Sequence, residues 1–253
     1  MSQPELAAML SVDPSVVSRI ENGKSDVDER MVQLLDGAFP DKDGWFSRFK
    51  EESGNWGEQF RSWFEDWVVK GEQRAAYIRW FEPLLIPGLL QTEGYIRALF
   101  RAWSAITPVT TSMETDVEAR LARQAIFERD SPPSFHAVID ESVLRRCIGS
   151  PRVMHEQLMH VVEMSERPGL TVEVVPEDAG AYVGLLGGFA VATFADNSPG
   201  IVYTESPDEG ATKKHPRTVA KMALTFDRVR DVALRVGPSR DLIRRVAEER
   251  WTA

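Results

Sequence analysis

A chain of 253 residues, 43% hydrophobic and 27% charged, has ample material for a globular core and is long enough for a small domain plus a medium one. No apolar run approaches the roughly 18 residues of a membrane span, and the N-terminus shows no basic-plus-apolar leader pattern, so a cytoplasmic protein is expected. The single cysteine, Cys147, excludes an intrachain disulfide and a cysteine-based zinc site, while the net charge of −9 works against non-specific attraction to nucleic acid.

Residues Ser2–Lys24 contain two short helical patterns joined by a tight polar turn. Ser2 and Glu5 form an S-x-x-E capping box, and Leu6, Ala7 and Leu10 supply an apolar face. Asp13 is a good N-cap, and Pro14 follows at the first helical position, where its missing N–H costs nothing. Val17 and Ile20 point inward, and Asn22-Gly23 stops the helix. Two helices in about twenty residues with a three- to four-residue turn is the helix-turn-helix arrangement. Asp26 and Glu29 repeat the capping logic for a third helix carrying Met31, Leu34, Leu35 and Phe39, broken by Gly37 and Pro40.

The residues S-Q-x-E-L-A, a turn, then S-x-x-S-R-I-E-N-G-K resemble the helix-turn-helix of phage-repressor-like (XRE-type) regulators. The resemblance implies that the second helix enters the major groove, with Ser15, Ser18 and Arg19 facing base edges. Arginine can hold guanine bidentately, and serine hydroxyls can donate to or accept from any base. Gln3, Asn22 and Lys24 are expected to touch phosphates and set register, and Pro14 opens the reading helix. The alternative is a plain helical hairpin with Arg19 as a solvated charge. Residues 1–40 hold three cations against seven carboxylates, a balance of −4 on a module that should be basic. The family also carries a helix ahead of S-Q-x-E-L-A; the sequence starts at Met1, so the first helix is expected to be missing, through a late start or a truncated module.

Residues 41–81 are rich in aromatics, with positions 56, 60, 63, 64 and 67 on one helical face, and are expected to form a helical connector. Core or interface burial is favoured over stacking on single-stranded nucleic acid, because Glu58, Glu65 and Asp66 interrupt where basic residues would be needed.

From Glu82 onward, Pro83 and Pro87 favour an extended start, Gly88 permits a bend, and Thr92 can cap a helix carrying Ile96, Leu99 and Phe100. Asp116–Arg129, Val153–Glu166, Thr218–Leu234 and Ser239–Arg250 read as helices. Phe135–Ile139, Leu170–Val175, Phe189–Phe194 and Ile201–Thr204 read as strands, and Gly184–Gly188 as a hairpin turn. The class is therefore α+β: an N-terminal helical helix-turn-helix module (1–40), a helical linker (41–81), and a C-terminal small mixed sheet covered by helices (82–253). P-G-L-L-Q-T-x-x-Y-x-R-A from Pro87, R-L-x-R-Q at Arg120–Gln124 and H-A-V-I-D-E-S-V-L-R-R at His136–Arg146 resemble DUF5753. So do V-E-V-V-P-E-D-A-G ending at Gly180, G-G-F-A-V-A-T-F and I-V-Y-T-E-S. That domain is common in actinobacterial regulators of the Scr1 type, which pair it with an N-terminal helix-turn-helix and are antitoxin-like. The resemblance implies a small partner protein encoded nearby.

Catalysis has little support. His155 and His160 diverge around their helix, no G-x-S-x-G elbow occurs, and the glycine-rich 184–188 segment lacks a P-loop lysine, so neither a metal, a cofactor nor an enzyme is expected. Asp140, Glu141 and Glu205 at strand ends, with Arg145, Arg146 and Gln157, could line a cleft for a small polar effector or a partner chain. Alternatively, Asp140 caps the next helix and Glu141 pairs with Arg145.

These readings make a DNA-binding transcriptional regulator, a homodimer on double-stranded DNA whose C-terminal domain senses a signal or binds a partner. The first alternative is a protein-interaction module with weakened DNA binding. The second is a small-molecule-binding or catalytic protein built on the C-terminal domain.

Overall fold

The computed structural model describes residues 2–21, 29–40, 44, 46–47, 67–103, 113–205 and 210–252, and the chain divides into two compact units, 1–60 and 61–253. In the first unit, α1 (Gln3–Leu10), α2 (Pro14–Glu21) and α3 (Glu29–Ala38) pack with Ala7, Leu10, Val17, Met31 and Val32 buried. The Ser2 amide donates to Glu5 Oε2 at 2.7 Å, as in the expected capping box. Ser11 ends α1 in the left-handed conformation (φ 54°), turning the chain through three residues into α2. Asp36 of α3 accepts the amides of Phe46 and Ser47 at 2.9 and 3.0 Å.

The second unit is a six-stranded mixed sheet of order β3-β2-β1-β4-β5-β6. Its strands are β1 (Tyr77–Glu82), β2 (Ser134–Asp140), β3 (Leu170–Val175), β4 (Phe189–Thr193), β5 (Ile201–Glu205) and β6 (Gly210–Lys213). β1, β2 and β3 run parallel, and β4, β5 and β6 complete the sheet antiparallel. The helices are α4 (Glu93–Trp103), α5 (Met113–Ala122), α6 (Glu141–Arg145), α7 (Pro151–Met164), α8 (Pro216–Arg230) and α9 (Val236–Arg250). Among the described residues, no helix is long and apolar enough to cross a membrane.

Both sheet faces are covered, which is why β2 is buried from Phe135 to Ile139 without alternation. One face presents Ile78, Trp80, Ala137, Ile139, Val172 and Tyr203 to a core shared with α4, α7 and α9. The other sets Phe81, Val138, Phe189, Val191 and Val202 beneath Phe226 and Val229 of α8. The outer edge of β3 is occupied: the Val174 amide donates to Ser239 Oγ at 3.0 Å, and the Leu234 amide donates to the Val174 carbonyl at 2.8 Å. Trp251 Nε1 donates to the Leu144 carbonyl at 2.8 Å and fastens the end of α9 to α6.

Three expectations are corrected. Tyr77, Trp80 and Phe81, grouped by sequence with a helical connector, lie in the central strand β1. The helix expected over Asp116–Arg129 is α-helical only to Ala122, then tightens to a 3-10 turn at Arg123–Glu128, where Arg123 and Gln124 reach inward to different partners. Gly184–Gly188 is no hairpin turn: the strands on either side, β3 and β4, are separated in the sheet by β2 and β1. The bend that Gly88 permits is there, as a 3-10 turn at Gly88–Leu90 following Pro87. Of the aromatic helical face, only Trp67 lies within the described residues, buried in a short π-helical turn; positions 56, 60, 63 and 64 lie outside them.

Candidate functional site

In the 1–60 unit, burial of Val17 against α1 turns the opposite face of α2 outward. Pro14, Ser15 and Arg19 are exposed, while Gln3 and Ser18 are half-buried. Asn22 and Lys24 lie outside the described residues. The Ser15 amide donates to Asp13 Oδ1 at 2.8 Å, so the N-cap is made as the D-P-S sequence predicts. The Ser15 hydrogen bonds hold the Asp13 carboxyl below the usual carboxylate range, and the Arg19 charge adds to this; the Ser2 hydrogen bonds do the same for Glu5. Both carboxylates therefore stay ionised at the starts of α1 and α2. That favours the helices through their N-terminal dipoles and leaves fixed negative charge at both helix starts. Arg19 is the one described cation on the exposed side of α2.

In the 61–253 unit, the residues expected to line a cleft have separate structural duties. Asp140 caps α6 by accepting the Ser142 amide at 2.9 Å and also accepts the Tyr182 hydroxyl at 2.6 Å. Burial and this carboxylate together raise the Tyr182 phenol well above its ordinary value. Glu141 is buried; its Oε1 pairs with Arg145, and its Oε2 accepts the Glu177 amide at 2.9 Å. Arg146 is exposed. Glu205, at the end of β5, accepts the Tyr203 hydroxyl at 3.2 Å. Asp140 and Glu205 share one end of the sheet but are three strand spacings apart, about 14 Å.

Gln157 belongs elsewhere. Fully buried on α7, it accepts the Thr92 amide at 2.7 Å and donates to the Leu90 carbonyl at 2.7 Å. It thereby locks the turn that the P-G-L-L-Q-T motif forms.

That turn is the centre of a network that sequence reasoning did not assemble. Gln91 donates to the Ile86 carbonyl at 2.6 Å, its own carbonyl accepts from Gln124 at 2.6 Å, and its side-chain oxygen accepts from Arg120 at 3.3 Å. The motif at Arg120–Gln124 thus interlocks with the motif at Pro87–Thr92. Its fourth residue, Arg123, forms a two-pronged pair with Glu72 at 3.0 and 2.6 Å, and Trp67 Nε1 donates to the same carboxylate at 3.2 Å. Arg120 is packed over the Phe100 and Trp103 rings, with no carboxylate within 4 Å among the described residues. Burial, then the neighbouring Arg123 cation, pushes it down to about 10. The cavity beside this network, lined by Val68, Glu72, Ala122, Arg123 and Ile126, encloses about 190 Å³, below the roughly 300 Å³ at which small-molecule pockets begin. The only local hint of the network was the i,i+3 spacing of Arg120 and Arg123; their partners are 29 and 51 residues away.

Glu82 closes β1 beside Gly188, where burial pushes its carboxyl up to about 7. Each histidine has a local setting: His136 bridges Tyr77 and Glu173, His155 bonds the Ala247 carbonyl, His215 caps α8, and burial lowers His160.

Residues 67–245 match the family model described as a domain of unknown function (DUF5753), and residues 1–40 match the one described as helix-turn-helix. The second match supports a DNA-binding regulator of the XRE type. No curated protein and no solved structure matches the chain.

Proposed function

Because the chain belongs to the DUF5753 family and carries a helix-turn-helix at its N-terminus, we propose that it regulates transcription as a homodimer, its C-terminal domain acting as the effector or partner-binding part. The exposed side of α2, with Ser15 and Arg19 outward while Val17 is buried, carries this reading. Arg19 contacts a guanine edge, Ser15 and Ser18 adjacent bases, and Pro14 opens the helix at the groove. Gln3, with Asn22 and Lys24, supplies phosphate contacts.

Fluorescence anisotropy of labelled DNA from the protein's own promoter, at low and physiological salt, tests this. Selective binding that Arg19→Ala weakens by roughly 1–3 kcal/mol supports base readout. Absence of any sequence preference at both salts sinks it.

The carboxylates of Glu5 and Asp13 beside the reading helix favour a second reading, a protein-interaction module that has lost most of its DNA affinity. On that reading DNA binding is absent, while the C-terminal domain still captures a small partner protein. A small-molecule or catalytic role rests on Asp140, Glu141, Arg145, Arg146 and Glu205 acting together. Their separate pairings give it the least support.

A further inference from the structure

On the side of the sheet covered by α8, an exposed apolar turn flanked by carboxylates lies next to an exposed cationic helix face that carries one leucine. The first is the 3-10 turn Val183–Leu186, where Leu186 is 91% and Leu185 60% exposed. Gly184 holds this turn against the sheet: an added Cβ would lie 2.5 Å from Phe81, so the chain descends onto the core there and throws its neighbouring leucines outward. Glu177 and Asp178, exposed in the preceding turn, make this patch anionic.

The second patch is the outer face of α8. Arg217, Lys221, Leu224 and Arg228 recur at i, i+4, i+7 and i+11, all exposed, with Leu224 at 58%. Within Pro216–Arg230, α8 holds Arg217, Lys221, Arg228 and Arg230 against Asp227 alone, in a chain whose total is −9. The turn packs directly against α8, and both stand over the same core cluster of Phe81, Phe226 and Val229.

Scattered exposed leucines need no explanation, but complementary patches placed side by side do. A two-fold contact brings each patch of one copy onto the other patch of its mate, as an isologous interface requires. We infer that this face joins two copies of the chain, α8 of one copy seated on the Leu185–Leu186 turn of the other. The need for a dimer rests on the DNA-reading proposal; the choice of surface rests on charge and exposure alone.

Sedimentation velocity of the full chain without DNA, at micromolar concentration, tests the inference. The wild-type chain is expected to be a dimer. Reversal of α8 (Arg217→Glu with Lys221→Glu) and, separately, of the turn (Glu177→Lys with Asp178→Lys) should each weaken it at least about 100-fold, because like charges then face each other. Mixing the two variants should restore a dimer, since each then meets its opposite. Leu186→Ser, at a site with no core contact to lose, should also weaken it. A monomeric wild type, a dimer indifferent to these changes, or a mixture that stays monomeric overturns the inference. A dimer with no DNA affinity would sink the regulator reading and leave this surface standing; a monomer that reads DNA would do the reverse.

Discussion

Replacing Arg123 by methionine removes the guanidinium from a pair in which the Arg123 side chain is 8% and the Glu72 side chain 2% exposed. The Glu72 carboxylate is then left in the core facing Trp67 Nε1, and stranding one partner of a buried pair costs about 3–5 kcal/mol. For a unit of this size that is a fall of roughly 10 °C in the unfolding midpoint. Thermal unfolding of the full chain by circular dichroism, following the transition of the larger unit, reads it. Adding Glu72→Met removes the stranded charge, so the double variant should be more stable than Arg123→Met alone. A single variant within about 1 kcal/mol of the wild type, or a double variant whose losses simply add, would refute the claim that the Arg120–Gln124 motif is held by this pair.

Other perturbations reach different parts of the account. Glu82 is protonated more readily folded than unfolded, its carboxyl rising from 4.5 to about 7, so its contribution is greatest at acid pH and is lost as pH climbs between those values. Glu82→Gln should therefore raise stability at pH 8 by on the order of 2 kcal/mol and leave it nearly unchanged at pH 4; equal effects at both pH values would contradict the assignment. Gln157→Leu leaves the Thr92 amide and the Leu90 carbonyl without their partner and should cost about 3 kcal/mol in denaturant unfolding. Gly184→Ala brings a methyl to 2.4 Å from Tyr182 and 2.5 Å from Phe81, and should cost about 1–3 kcal/mol, with a near-ultraviolet signal reporting the displaced rings.

Local chemistry was legible where a few adjacent residues decide the outcome. Ser2 with Glu5, Asp13 before Pro14, and Asp140 with Glu141 and Arg145 are helix starts written in side chains, and the structure makes each of those contacts. Four strands stood out as β-branched or aromatic runs bounded by turn residues. β1 did not, because Tyr-Ile-Arg-Trp-Phe-Glu follows a stretch of aromatics at helical spacing; its strand identity comes from its neighbours β2 and β4 in the sheet. β6 is only four residues long and carries no large apolar side chain to announce it.

The network around Gln91 was hidden for a different reason. Gln157, Glu72 and Arg123 are polar residues made central by partners 51 to 67 positions away, and nothing local encodes those pairings. Conversely, grouping Gln157 with Asp140 and Glu205 joined residues that share a polar character but not a place in the fold.

Footprinting the protein on its own promoter reaches the central claim most directly. Two protected major-groove segments related by a two-fold axis, about 34 Å apart from centre to centre, are the predicted result, with protection lost in Arg19→Ala. Uniform protection, or none at low salt, would contradict it.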